Sequence, residues 1–203
     1  MKLWETLKTM SFKEAVDYIW EYYKIHIIGI IAGLFILGSI ISSVLKEDEV
    51  LYNMMVVAPI PYDEVNVFSD QINEAHYEDF EVAVDNIIYD GGDLSNQSYD
   101  QVQKLIAKIA AGMVDVMVTE ESFALDLVEQ EGLTPIEDLF DVEKLKQHGV
   151  EVVDFGSGTA YGIKSNKLDV FQDNQHYQSR VLVFPSNAEQ VDLTDDFLEA
   201  LLP

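Results

Sequence analysis

The spacing of apolar positions divides the chain into three parts. Residues 25–45, IHIIGIIAGLFILGSIISSVL, are apolar on every side and hold no Asp, Glu, Lys or Arg over 21 residues. A helix rises about 1.5 Å per residue, so this stretch covers a hydrocarbon core of roughly 30 Å and predicts a transmembrane helix. A cleaved signal peptide has a shorter apolar region that ends at a small-residue site. No A-x-A site follows here, so the segment is expected to remain as an anchor.

Residues 1–24 carry a different period. In SFKEAVDYIWEYYKIH, Phe12, Val16, Ile19 and Tyr23 recur at helical spacing, and Ser11 with Glu14 fits a capping box. Tyr18, Trp20, Tyr22 and Tyr23 suit a membrane–water interface, with Lys24 snorkelling beside them. This predicts a cytoplasmic or interfacial amphipathic helix that positions the span.

Residues 46–203 alternate between strand and helix patterns. LYNMMVVA at Leu51–Ala58 reads as a buried strand ended by Pro59 and Pro61. Val65, Phe68 and Ile72 share a helical face. DFEVAVDNIIYD alternates as a second strand, and DGGD at Asp90–Asp93 reads as a turn. Ser98 with Gln101 offers a second capping box before a helix striped by Val102, Leu105, Ile106 and Ile109. Gly112 ends that helix and MVDVMV follows as a third strand. A helix with Phe123, Leu127 and Val128 comes next, with Gly132 at its stop and a short restart at Thr134 and Pro135. Asp141–His148 is another helix, closed by Gly149. VEVVDF and TAYGIK are strands joined by GSG, RVLVFP is the last strand, and Thr194–Leu202 the last helix. Strands that alternate with helices predict an α/β domain: a largely parallel sheet with helices on both faces.

Charge then orients the chain. Residues 1–24 carry four bases and four acids, while residues 46–203 carry eight bases and 33 acids. Lys2, Lys8, Lys13 and Lys24 precede the span and only Lys46 lies close behind it. The positive-inside rule therefore places the N-terminus in the cytoplasm and the acidic domain outside a cell membrane crossed once. A net charge of -25 argues against a nucleic-acid partner, which needs a basic face. Basic peptides and basic protein surfaces remain as partners. The absence of cysteine excludes disulfides, thiol catalysis and Cys-ligated metals.

No motif specifies an enzyme, and none calls for a cofactor or a metal. Asp85, Asp90, Asp93 and Asn96 bunch as oxygen ligands, but the EF-hand spacing is absent, and a turn followed by a helix cap explains them. GSGTAYG at Gly156–Gly162 lacks the G-x-G-x-x-G order and reads as a strand-to-strand turn. His26, His76, His148 and His176 are scattered. Asn96-Gln97-Ser98 matches a glycosylation sequon of little specificity.

AAGMVDVMVTEESFALDLVEQEGLTPIEDLF resembles the segment of bacterial extracellular solute-binding proteins, the type 2 periplasmic-binding fold, in which a strand, a capped helix and L-x-P-L-x-D-L follow in turn. TAYGIKSN is similar to the strand by which that family returns from its first lobe. VLVFPSNAEQVDLTDDFLEALL is similar to its closing strand and helix. The aromatic entry DYIWEYYKIH resembles small membrane-anchored proteins of Gram-positive bacteria. The resemblance covers most of residues 51–203 and implies one lobe of a solute-binding fold. A second lobe would follow YGIKSN, yet only Lys164–Gln178 separates that strand from the last one. The resemblance therefore carries over no ligand residues.

These readings lead to a non-enzymatic, membrane-anchored, extracytoplasmic interaction or accessory protein, such as a subunit of a transporter or export complex, with a protein partner. The alternative is a receptor or sensor for a small solute or peptide. It would cup its ligand with Thr119, Glu120, Glu121 and Ser122 at one helix N-terminus and Gly156, Ser157, Gly158 and Thr159 at a Gly-rich turn. A homodimer would rebuild the cleft, with Gly29 and Gly33 bringing two spans together. Ser39 and Ser43 repeat that small spacing.

Overall fold

The computed structural model describes residues 11–44, 50–74, 77, 79–92, 97–172 and 174–203. Lys2, Lys8, the Lys46–Glu49 exit, His76, Asp93 and Asn96 lie outside the described residues. The chain forms two units, Met1–Asp48 and Glu49–Pro203.

In the first unit, helix α1 spans Phe12–Val44. Its start is the expected capping box: the Ser11 N–H donates to Glu14 Oε2 at 2.9 Å and the Ser11 hydroxyl at 2.7 Å. The backbone bond, then the hydroxyl bond, hold the Glu14 carboxyl below the usual carboxylate range. The expected transmembrane helix at residues 25–45 is not found as a single element. Among the described residues no single helix is long and apolar enough to cross a membrane. Phe12–Glu21 and Tyr23–Gly38 meet the requirement of length and composition only as a pair, bent by 71°. Phe12, Trp20, Ile25, Leu34 and Phe35 are all exposed on this helix.

The second unit is built on a six-stranded sheet. Strands β1 (Leu51–Ala58), β2 (Glu81–Ile88) and β3 (Val116–Thr119) are joined through helices α2 (Tyr62–Asn73) and α3 (Tyr99–Ala110). Helices α4 (Glu121–Glu129), α5 (Ile136–Leu139) and α6 (Val142–Gln147) follow, then β4 (Val152–Val153), β5 (Gly162–Lys164), β6 (Val181–Val183) and α7 (Thr194–Glu199). The spatial order is β2-β1-β3-β6-β5-β4. β1 runs parallel to β2 and β3, whereas β6 is antiparallel to β3 and to β5, and β4 is antiparallel to β5. The sheet is mixed, which corrects the largely parallel expectation. A parallel neighbour needs a crossover of a dozen or more residues, usually helical. The first three strands have such helices. The turn at 154–161 links β4 to β5 too tightly for anything but a hairpin.

β1 is an interior strand, paired with β2 and β3, and it is buried from Met54 to Ala58 on both faces. This explains its unbroken apolar run. Tyr52, Met54, Val56 and Ala58 face a core that includes Phe68 of α2, Leu145 of α6 and Phe197 of α7. Met55 and Val57 face a smaller core with Leu105 of α3 and Phe123 of α4. Val65, Phe68 and Ile72 are all buried, as their spacing predicts.

Helix ends show where the backbone, rather than residue type, decides. α3 closes with the Gly112 N–H bonded to Ile109 O and the Met113 N–H bonded to Lys108 O, with Gly112 at φ +70. α4 closes in the same way, but one residue earlier than its glycine. The Glu131 N–H donates to Val128 O, the Gly132 N–H donates to Leu127 O, and Glu131 itself takes φ 56. Gly132 thus follows the left-handed position instead of filling it, which corrects its reading as the stop residue. A Cβ at Gly112 would stand 3.0 Å from Asn187 O and 3.1 Å from Glu189 Cγ. Gly112→Ala is expected to destabilise the domain by about 1–2 kcal/mol, since a left-handed L residue costs that much before any clash. Glu131→Gly is expected to stabilise it by up to about 1 kcal/mol, because the same strain is relieved but unfolded-chain entropy is added. Urea midpoints read by near-ultraviolet circular dichroism check both. Equal losses from the two substitutions would refute the assignment of Glu131. Ser98 departs from expectation as well: its side chain makes no capping bond, and Gln101 Nε2 donates to the Tyr62 hydroxyl at 3.2 Å instead.

Candidate functional site

Thr119–Ser122 lies where β3 ends and α4 begins. Thr119 is buried and its hydroxyl donates to Val57 O at 3.1 Å, a bond that ties β3 to β1. Glu120 precedes α4 in an extended conformation and makes no side-chain cap. Its Oε1 accepts from Arg180 Nη1 at 2.5 Å. Glu121 pairs with Lys164 across the same strand ends. Nearby, His176 Nε2 stands 3.0 Å from Glu64 Oε2. The acids expected to face a ligand are therefore engaged within the lobe. Arg180 and Lys164 escaped the sequence reading. Arg180 is the chain's only arginine and stands one residue before β6, a position that could have drawn attention to it.

The register separates the other half of the expected cup. Thr119 pairs with Val181, and Val181 with Lys164, at one end of the strands. Gly162 pairs with Val153 and Val183 at the other end, and the turn at Gly156–Thr159 extends beyond it. Thr119–Ser122 and Gly156–Thr159 are thus not brought together. The turn satisfies itself. Asp154 Oδ1 accepts from the Gly156 N–H at 2.9 Å, and Asp154 O from the Ser157 hydroxyl at 2.7 Å. The Thr159 N–H donates to Ser157 Oγ at 3.2 Å.

A different feature lies between two helices. α3 packs against β2 and α4 against β6, so β1 and β3 lie between them. Three interstrand steps of about 4.8 Å put roughly 14 Å between these two strands, against about 8–10 Å for a close-packed helix pair. Leu105 and Phe123 are each only 2 % exposed and share one core cluster, which closes the base of the gap. Above them lies a furrow of about 940 Å³ lined also by Ile109 and Leu127. Ile106 is 57 % exposed and Leu125 38 % exposed at its mouth. Among the described residues Asp126 and Glu129 are the charged ones of its lining, and Ser122 reaches its rim. Ile106 belongs to the apolar stripe read from the sequence, but it points outward. Leu125 lies off the helical spacing of Phe123, Leu127 and Val128, so periodicity passed over it.

No family model and no curated protein matches the sequence. Among solved structures the chain is similar to an extracellular solute-binding protein family 1 from Alicyclobacillus acidocaldarius subsp. acidocaldarius DSM 446, at 15% identity and a TM-score of 0.36. That alignment covers 61% of this chain and 29% of the other, so the chain spans less than a third of that protein's length.

The remaining candidates occupy separate places. Asp85 lies on β2 beneath α3, bonded to Lys104 Nζ at 2.5 Å and Lys108 Nζ at 2.6 Å. Burial pushes its carboxyl up, but the two lysines and the Asn86 N–H outweigh burial and hold it below the usual carboxylate range. Asp90 is exposed next to the Gly91–Gly92 turn. Among the described residues no group of three or more His, Asp or Glu is placed to hold a metal ion. His26 lies in α1, and His148 Nδ1 is 3.3 Å from Pro203 O. Gly29 and Gly33 also lie in α1, where a Cβ at either would meet open space.

Proposed function

We propose that this protein is a non-enzymatic, membrane-anchored interaction module whose acidic lobe stands outside the cell, as an accessory subunit of a transporter or export complex. The furrow between α3 and α4 carries the reading as an interaction module. Solvent-facing Ile106 and Leu125 on the two walls are what a protein contact would cover. Anchoring is supported by α1, whose apolar side chains are exposed and call for an apolar surrounding. With a 71° bend, the aromatic entry would lie along the interface while the rest enters the bilayer.

The solute-receptor alternative has less support. Glu120, Glu121 and Glu64 at the strand ends are already paired with Arg180, Lys164 and His176. The Gly156–Thr159 turn lies at the opposite strand ends.

The absence of native cysteine makes the topology directly testable. In intact cells a membrane-impermeant maleimide is expected to label Gln147→Cys on the lobe and to leave Lys13→Cys unlabelled until the membrane is opened. Labelling of Lys13→Cys alone, or loss of the chain to the soluble fraction, would overturn the anchored reading.

A further inference from the structure

We infer that the furrow between α3 and α4 docks a basic amphipathic helix of another protein, its apolar ridge on Ile106, Leu125 and Leu127 and its flanking cations against Asp126 and Glu129. The inference deepens the interaction reading and rests on it. Three observations select this occupant.

The first is shape. α3 has 12 residues and α4 has nine, so the furrow walls run about 13–18 Å, the length of two to three helical turns. Walls of that length suit helix-in-groove recognition, in which one row of side chains at i, i+3, i+4 and i+7 is engaged.

The second is local charge. Among the described residues both charged lining residues are acids. The lysines of α3, Lys104 and Lys108, are bound to Asp85 and supply no cation to the rim. A strand partner is not favoured either, because α3 and α4 present side chains rather than free backbone groups.

The third is the charge of the lobe. Residues 46–203 carry 33 acids and eight bases, so two copies repel one another and an anionic lipid surface is repelled as well. A cationic segment is attracted and steered to the same site.

The test uses the full chain in nanodiscs of zwitterionic lipid, with empty nanodiscs as the baseline. The probe is a dye-labelled helical peptide of about 14 residues, roughly 21 Å long, with Leu at i, i+3, i+4 and i+7 and Lys on both flanks. Saturable one-to-one binding is expected by fluorescence anisotropy. Ile106→Gln and Leu125→Gln are each expected to weaken it about tenfold, the scale set by losing one well-buried apolar contact. Both positions are exposed, so the fold tolerates the change. Asp126→Lys with Glu129→Lys should weaken the Lys-flanked peptide at least about tenfold and strengthen a Glu-flanked version. The same charge change away from the furrow, Glu137→Lys with Asp138→Lys, should cost less than about threefold, as screened charges at a distance do.

Equal losses from the two double reversals would show that bulk acidity binds the peptide, and would overturn the inference. So would equal binding of the Glu-flanked peptide to the native chain, binding to empty nanodiscs alone, or self-association of the chain that the peptide does not displace. The maleimide result stands apart from these outcomes. Outward labelling with no furrow binding removes the docking inference and leaves the anchored topology intact.

Discussion

Phe68→Ala is expected to lower the stability of the folded lobe by about 3–5 kcal/mol, the range for emptying a buried aromatic site. Phe68 is fully buried on α2 and stacks on Tyr177 with ring centroids 4.1 Å apart. It also meets Phe171 edge-on at 5.1 Å. The truncation removes both aromatic contacts and leaves a hole that the surrounding residues cannot fill without moving. Phe171 and Tyr177 belong to the segment between β5 and β6, so the loss reaches the Arg180 end of β6 as well as α2. The measurement is urea unfolding of the full chain in detergent micelles, read by near-ultraviolet circular dichroism. Tryptophan emission would not serve, since Trp4 and Trp20 both lie in the N-terminal unit. Tyr99→Ala is the comparison. Tyr99 is 73 % exposed, and a surface change of this kind costs within about 0.5 kcal/mol. If Phe68→Ala proves no more costly than Tyr99→Ala, the core is not centred where α2 meets that segment.

Asp115→Ala is expected to cost about 2–4 kcal/mol, because it strips a charged acceptor from two backbone N–H groups and from Asn53 Nδ2, which keeps only a longer bond to Leu51 O at 3.4 Å. Asp115 is fully buried just before β3. Its Oδ2 accepts from the Asn53 N–H at 2.7 Å and from Asn53 Nδ2 at 3.0 Å, and its Oδ1 from the Gln190 N–H at 2.9 Å. One carboxylate thus joins the edge of β1 to the chain that follows β6. Asp115→Asn tests the role rather than the space. A carboxamide has a single acceptor oxygen, so one of the two sides must face an N–H with its own N–H. It should lose more than half of the Ala penalty while keeping the volume. Amide exchange at Asn53 and Gln190 should quicken in both variants. An Asn variant as stable as the native chain would show that the carboxylate is not needed as a double acceptor.

These two residues differ in how visible they are beforehand. Phe68 stands out in the sequence, since Val65, Phe68 and Ile72 fall on one helical face and all three are buried. Asp115 reads as one more acid among 37, because its partners are 62 and 75 residues away. The same division runs through the candidate site. The strand–helix unit at Thr119–Ser122 is legible because strand period, helix period and helix start are local features. Its pairing with Arg180 and Lys164 is not, because those residues arrive from strands placed beside β3 only by the sheet order. The Gly-rich turn was legible as a turn, and its distance from Thr119 was not. Strand direction, which no local pattern carries, sends it to the other end of the sheet.

What the sequence determined by itself is therefore what depends on neighbours within about one helical turn or one strand pair. That includes the bounds of β1 at Leu51–Ala58, the buried face of α2, the Ser11–Glu14 cap, the apolar run of α1 and the acidity of the lobe. The tertiary structure decided the mixed sheet, the left-handed Glu131 in place of Gly132, the bend between Glu21 and Tyr23, and the furrow between α3 and α4. The physical reason is shared by the sheet and the furrow. Strand order is a non-local choice, and it sets α3 over β2 and α4 over β6, which leaves Ile106 and Leu125 exposed at the furrow while Leu105 and Phe123 are buried beneath it.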